Sequence, residues 1–274
     1  MLKQRILTAL VLVPLVVLSI LYAPLIGVAI LFAVLLMQGA WEWSRLSGVS
    51  NIVVRILYIS VLVLVMIYLW SFAGDSLSML LFGFVALAAW LLAFTWVLRP
   101  ELGKDSKIFF VMIKLLAGLV MLLIAWYALV SIHSTADNGP MWALYALALT
   151  WVADSGAYFA GKSFGKNKLA PKVSPGKTWE GVAGAVIMVL IYTWLMSFLL
   201  GVTEQKLWLL LLISFVLVPF SVVGDLFESL MKRQSGIKDS GTLLPGHGGV
   251  MDRVDALIAV LPLFMLFAGI ADLI

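Results

Sequence analysis

The sequence predicts an all-α, polytopic membrane protein with about nine transmembrane helices. Of its 274 residues, 64% are hydrophobic and only 12% are charged, and the mean hydropathy is +1.13. Soluble domains of this length do not have that balance. The sequence contains no cysteine, which excludes disulfides and thiolate zinc sites.

Apolar runs long enough to cross a bilayer occur throughout the chain, with short polar turns between them. The predicted spans cover about 6–22, 25–40, 52–72, 77–98, 108–130, 141–160, 181–200, 207–224 and 250–270. The first run follows Lys3 and Arg5 and has no small-x-small cleavage site after it. We therefore predict an uncleaved first span rather than a signal peptide.

The basic residues give these spans an orientation. With nine spans and a cytoplasmic N-terminus, every one of the 18 lysines and arginines except Lys206 falls on the cytoplasmic side. This distribution agrees with the positive-inside rule. We therefore expect a multi-pass protein of the inner (cytoplasmic) membrane, with its N-terminus and its polar loops in the cytoplasm.

Two spans carry polar residues near their cytoplasmic ends. Glu42 and Arg45 close the second span, where an interfacial anchor is expected and a role in a site is the alternative. Asp154 lies within the sixth span, and acids inside membrane helices are costly and often functional. Asp154, Tyr158 and Lys162 follow one another at i, i+4 and i+8, which predicts one polar stripe. A hydrogen bond to a neighbouring helix is the structural alternative for Asp154.

A basic segment, 161–181, follows the sixth span. Some of its lysines are expected to serve only topology. Gly176, Lys177 and Thr178 look like the end of a P-loop, but Pro171 stands where the first glycine is needed, and we expect no strand before it. What remains is a Ser174 to Thr178 stretch just before a helix, where hydroxyls, a lysine and free amides suit a polyphosphate.

The segment 225–255 concentrates charge in a chain that has little. If the eighth helix continues to about residue 233, Asp225, Glu228, Ser229 and Lys232 lie at i, i+3, i+4 and i+7 on one face. A glycine-rich loop follows, which contains too many helix breakers to be helical.

A second helix is expected to begin near residue 250, with Asp252 and Asp255 one turn apart. Together with Asp225 they place three carboxylates at two helix ends, which suits a hard cation such as Mg2+. The amides of Gly248, Gly249 and Val250 are expected to point out of the helix N-terminus towards a phosphate.

Several motifs make the whole chain resemble the CDP-diacylglycerol synthases, or phosphatidate cytidylyltransferases. They are Ser229-x-x-Lys232-Arg233, Lys238-Asp239, Pro245-Gly246-His247-Gly248-Gly249, Asp252-Arg253-x-Asp255, Ala153-Asp154-Ser155-Gly156-Ala157-Tyr158 and Ser174-Pro175-Gly176-Lys177-Thr178. The resemblance implies that CTP and phosphatidate react to give CDP-diacylglycerol and pyrophosphate. It also implies a homodimer, and we expect Mg2+ with the option of a second cation.

Roles follow for the individual residues as expectations. The predicted metal ligands are Asp225, Asp252 and Asp255, and the predicted catalytic set adds Ser229 and Lys232. The predicted substrate-binding residues are Asp154, Ser174, Lys177, Thr178, Arg233, Lys238, His247, Gly248, Gly249 and Arg253. For His247 we expect a phosphate contact or a part in shaping the loop.

We expect residues 1–274 to form one membrane domain, in which 1–130 are mainly scaffold and 141–274 are the catalytic half. Two other functions remain open, a membrane lipid kinase and a transporter of an anionic solute. A transporter site is expected near the midplane between inverted repeats, whereas the polar residues here gather on one side. No nucleic-acid partner is expected.

Overall fold

The computed structural model describes residues 2–104, 107–135, 138–241, 243 and 248–274, without the side chains of residues 2–9 and 11. The elements are, in chain order, α1 (Leu2–Tyr22), α2 (Leu25–Leu46), α3 (Ile52–Trp70), α4 (Ser76–Leu98), α5 (Ile108–His133), α6 (Gly139–Phe164), β1 (Lys168–Ala170), β2 (Ser174–Thr178), α7 (Trp179–Leu199), α8 (Glu204–Gln234), α9 (Met251–Val254) and α10 (Leu257–Ile270). The prediction of an all-α membrane protein is confirmed.

The predicted spans correspond to α1 to α8 and to a last segment, Met251–Ile270, that joins α9 and α10. Seven of the described helical segments are long and apolar enough to cross a membrane. α2 runs on to Leu46, past its predicted end, and so carries Glu42 and Arg45 within the helix. α8 is continuous from Glu204 to Gln234. The predicted placement of Asp225, Glu228, Ser229 and Lys232 on one helical face depends on this continuity.

The expectation that no strand lies near the Gly-Lys-Thr sequence is wrong. β1 and β2 form an antiparallel hairpin, and β2 leads straight into α7. The side chain of Thr178 accepts a hydrogen bond from the amide of Gly181 at 3.2 Å and so caps α7. The Ser174 to Thr178 stretch is therefore itself the strand, which keeps it distinct from a P-loop, where the strand comes before the motif.

Small residues let α6 and α7 approach closely. A side-chain carbon added at Gly184 would lie 2.2 Å from Cβ of Ala160, and one added at Gly156 would lie 2.7 Å from the carbonyl oxygen of Gly184. Small residues at helix contacts are a common means of close packing in membranes. This contact fixes the end of α6 beside the start of α7.

The last segment is the most enclosed of the seven apolar ones, with 72% of its apolar window buried. α8 packs closely against its start, because a carbon added at Gly224 would lie 2.4 Å from the carbonyl oxygen of Asp255. This approach brings the next residue of α8, Asp225, beside Asp255. The close packing at Gly224 thus forms one wall of the site.

Candidate active site

A polar cavity of about 620 Å3 lies where α6, the hairpin, α7, α8 and α9 meet. Its charged lining residues are Asp154, Lys162, Lys177, Asp225, Lys232, Asp239, Asp252, Arg253 and Asp255. Tyr158 and Thr178 also line it, so the whole stripe predicted on the sixth span faces the cavity. Membrane helices thus surround a charged space with acids and bases in close proximity.

Lys177 and Asp225 form an ion pair inside this cavity, with Nζ 2.6 Å from Oδ2. The side chains are 23% and 32% exposed, so the pair is only partly screened by solvent. The other oxygen of Asp225 accepts a hydrogen bond from the hydroxyl of Ser229 at 3.2 Å. The hairpin and α8 are therefore tied together at a point that also faces the cavity.

Lys232 lies between two further carboxylates. Its Nζ is 2.5 Å from Oδ1 of Asp252 and also pairs with Glu228, one helical turn earlier. Glu228 is buried, and a buried carboxylate is costly unless a cation compensates it. Lys232 thus supplies the positive charge for both groups, and it links α8 to the start of α9.

The second oxygen of Asp252 is held by the loop that precedes it. Oδ2 accepts hydrogen bonds from the amide of Ser240 at 2.9 Å and from the amide of Gly249 at 2.8 Å, and the hydroxyl oxygen of Ser240 lies 2.8 Å from it. Gly248 has a φ of +79°, and a side-chain carbon there would lie 2.6 Å from Oδ2. Asp252 therefore organises the loop while its other oxygen contacts Lys232.

Glu42, for which the sequence favoured an interfacial anchor over a role in a site, is part of this arrangement. It is 2% exposed, and its carboxylate accepts hydrogen bonds from Ser240 Oγ at 2.9 Å, from the Val250 amide at 3.1 Å and from the Met251 amide at 2.9 Å. The side chain of Gln38 donates a further bond at 3.0 Å. The expected interfacial anchor is thus a buried carboxylate of α2 that fastens the loop before α9.

Two glycines of the loop make room for this carboxylate. A side-chain carbon at Gly241 would lie 2.4 Å from Oε1 of Glu42, and one at Gly249 would lie 2.3 Å from Oε2. Only a loop without side chains at these two positions can close over Glu42. The loop glycines were read from sequence only as helix breakers, whereas Gly241 and Gly249 allow close packing around an acid.

The amides of the loop are also used differently from the prediction. Those of Gly249 and Val250 were expected to face a phosphate, but each donates to a carboxylate, Asp252 and Glu42 respectively. A helix N-terminus attracts any anion, and here the protein supplies its own. A phosphate in this cavity would therefore meet cationic side chains rather than the amides of Gly249 and Val250.

Four other residues were also predicted to bind substrate. Arg233 donates from Nε to the carbonyl of Val173 at 3.4 Å and so contacts the hairpin turn. Ser174 begins β2, and Lys238 is exposed in the loop after α8. None of these three lines the cavity as far as the structure describes it. His247 lies outside the described residues.

The acids of the cavity are suited in part to a hard cation. Asp255 lies near enough to Asp225 and Asp154 for their charges to interact, and all three offer only oxygen ligands, which Mg2+ prefers. Among the described residues, however, no three acidic or imidazole side chains are gathered as a finished metal site. Asp252 in particular is held by Lys232. The residues fit a divalent ion best around Asp225 and Asp255.

Comparisons with known proteins identify the family of this chain. The model of a cytidylyltransferase family matches residues 3–271. A phosphatidate cytidylyltransferase of Pseudomonas aeruginosa is 43% identical over 270 residues, 96% of each chain. One of Haemophilus influenzae is 36% identical over 97% of this chain and 98% of its own, and one of Staphylococcus haemolyticus is 38% identical over 74% and 75%. With its full-length match and its charged cavity, this chain belongs to the cytidylyltransferase family.

Proposed function

We infer that this protein transfers the cytidylyl group of CTP to phosphatidate, which yields CDP-diacylglycerol and pyrophosphate. Family membership and the names of the similar curated proteins support this function. The observation that carries it is the cavity where Lys177 meets Asp225 among further acids and bases. A site of this kind can take a polyphosphate and a cation together.

The reaction needs little covalent help from protein. An oxygen of the lipid phosphate attacks the α-phosphorus of CTP, and the bond from that phosphorus to the oxygen bridging to the β-phosphate breaks. Pyrophosphate leaves with that oxygen. Both reactants are anions, so the protein has to bring them together and neutralise charge as it develops.

The basic residues of the cavity are placed for that task. Lys162 lies on α6, Lys177 on β2, Lys232 on α8 and Arg253 on α9, so cations line the cavity from four elements. We expect Lys177 to exchange its contact with Asp225 for a phosphate of CTP. Lys232 is fixed by two carboxylates and is expected to act mainly by its charge and by positioning Asp252.

We propose Mg2+ as the cofactor, held by Asp225 and Asp255 with Asp252 as a further ligand, and a second cation as an option. When bound, the ion supplies positive charge to the triphosphate and the leaving pyrophosphate. The repulsion among Asp154, Asp225 and Asp255 supports this proposal, since a divalent ion would relieve it.

We also propose that the cavity opens to the cytoplasm from the inner membrane, with the N-terminus on the same side. The distribution of basic residues supports this orientation, because every lysine and arginine except Lys206 then faces the cytoplasm. CTP is soluble and phosphatidate is held in the bilayer, and a site at cytoplasmic helix ends can meet both. A homodimer is proposed from family resemblance alone, and cross-linking of the purified protein in lipid nanodiscs tests it.

The fate of the labelled phosphorus tests the function. Purified protein in lipid vesicles is incubated with phosphatidate and with CTP labelled at the α- or the γ-phosphorus, and with ATP labelled in the same two ways. Cytidylyl transfer places only the α-label of CTP in the lipid. Transfer of a γ-label would show a lipid kinase instead, and no labelled lipid with either nucleotide would contradict both enzyme functions.

A further inference from the structure

A second, smaller cavity of about 220 Å3 lies at the end of α2 and the start of α3. Its lining residues are Gln38, Trp41, Glu42, Arg45, Arg55, Ser240, Gly241 and Leu243. Ser240 also binds Asp252, which lines the larger cavity. The loop around Ser240 is therefore a wall between the proposed reaction site and this second space.

The second cavity has a net positive charge. Arg45 and Arg55 lie near enough for their charges to repel, and Glu42 is the one acid in the described lining. The two oxygens of Glu42 already accept hydrogen bonds from Ser240, Val250, Met251 and Gln38. The carboxylate of Glu42 is therefore used by the loop before α9. The guanidinium groups of Arg45 and Arg55 beside it give the cavity a positive charge that would attract an anion.

The guanidinium groups are held in place but keep donors available. Arg55 donates from Nε to Ser44 Oγ at 3.0 Å and from a terminal nitrogen to the carbonyl of Trp41 at 2.6 Å. It also lies over the Trp41 ring, 3.6 Å from the centroid. Arg45 donates to the carbonyl of Ser240. Each guanidinium group has five N–H donors. These contacts therefore fix the positions of Arg45 and Arg55 and leave further N–H donors for a ligand.

We propose that this cavity binds the phosphate of an anionic phospholipid headgroup. Two arginine forks suit a phosphate, and apolar side chains next to them face outwards. Ile52 and Val53 on the first turn of α3 are 61% and 59% exposed, and Leu243 is 57% exposed. A lipid can thus leave its acyl chains along α3 while its phosphate reaches Arg45 and Arg55.

A purely topogenic role is the competing explanation for these arginines. Topology requires only positive charge near the cytoplasmic face, so lysine serves it as well as arginine. A phosphate site that uses the planar, stacked guanidinium of Arg55 as a bidentate donor is weakened when lysine replaces the arginine. Arg55→Lys therefore separates the two roles, because it keeps the charge and removes the fork.

The test measures lipid retention directly and needs no turnover. Full-length protein is purified with Arg55→Lys, Arg55→Gln or Arg45→Gln, and with Arg99→Gln as the matched control. Arg99 is an exposed arginine after α4 that lines neither described cavity. Native mass spectrometry then titrates each protein with a short-chain phosphatidylglycerol, with a short-chain phosphatidylcholine and with inorganic phosphate.

The wild-type chain and Arg99→Gln should retain phosphatidylglycerol in preference to phosphatidylcholine. Arg55→Gln should weaken that retention by at least about 10-fold, the loss of one charge-assisted contact, and Arg55→Lys should also weaken it. Circular dichroism and a single elution peak establish that each variant is folded. Equal retention by Arg55→Lys and wild type, or binding of inorganic phosphate without any preference for the anionic lipid, would overturn the proposal. Because catalysis is not measured, a failure here is distinct from a failure of the proposed function.

Discussion

The hydroxyl of Ser240 donates to Oε2 of Glu42 at 2.9 Å, although 198 residues separate them in the chain. The same hydroxyl lies 2.8 Å from Oδ2 of Asp252. One serine therefore connects a buried acid of α2 with an acid of the proposed reaction site. The N-terminal half, which the sequence suggested to be mainly scaffold, supplies this support.

Glu42→Gln should weaken the loop that carries Asp252. The amide keeps only one acceptor oxygen and turns an N–H2 group towards donors, so a buried hydrogen bond is lost at a cost of about 1–3 kcal/mol. We expect a lower Tm in detergent and a lower kcat. Glu101→Gln, on an exposed side chain, is the control. Wild-type kcat in Glu42→Gln would show that the loop does not depend on this carboxylate.

Gly224→Ala should disturb the approach of Asp225 to Asp255. The added carbon would meet the carbonyl of Asp255 at 2.4 Å, and overpacking of this kind costs about 1–3 kcal/mol. Gly269→Ala is the control, because a carbon there has no atom within 4 Å in the described structure. Turnover and Tm are measured for both. Equal values for both variants would mean that the contact at Gly224 does not set the geometry.

Lys177→Gln should reduce kcat/KM for CTP by about 10- to 150-fold, the loss of one charge-assisted contact. The substitution also leaves Asp225 without its partner at 2.6 Å. Lys172→Gln, an exposed residue of the same hairpin turn, is the control and should keep wild-type kinetics. Initial rates at varied CTP measure the effect, and wild-type kinetics in Lys177→Gln as well as in Lys172→Gln would assign Lys177 to topology.

Cysteine labelling should establish the proposed orientation, since the chain has no native cysteine. Lys172→Cys, before α7, should react with an impermeant maleimide only after the cytoplasmic face is opened. Gln205→Cys, beyond α7, should react in intact cells. Ser240 is unsuitable as a reporter because it is fully buried. Labelling of position 172 from outside would contradict a cytoplasmic site.

Local spacing was sufficient to predict several of the residues that meet in the cavity. The helical face of Asp225, Ser229 and Lys232 and the stripe from Asp154 to Lys162 both depend on the 3.6-residue period, and the structure brings members of both to one cavity. The start of α9 with Asp252 and Asp255 was likewise read from the change between glycine-rich loop and apolar run. Such features involve residues close in sequence.

Contacts between residues that are far apart in sequence were not predicted. Nothing near Glu42 in sequence indicates that it lies against Ser240 and Val250, and a charged residue near a helix end is most often interfacial. The short hairpin was missed because lysines and prolines in 168–178 resemble a plain polar loop. The position of Glu42 between Trp41 and Trp43 was the one sequence signal that could have raised the priority of α2, because an acid among aromatic residues needs partners if it is buried.

The most direct test concerns Asp225 and Asp252, two of the three proposed metal ligands, which lie on α8 and α9. Asp→Asn at either position keeps the volume and removes the charge, and kcat/KM for CTP is measured for both singles and the double variant at limiting Mg2+. If both residues act in one centre, each single loses most turnover with an intact fold, and the double is scarcely worse than either. Near wild-type kcat/KM in either single variant would contradict the account and place the reaction elsewhere.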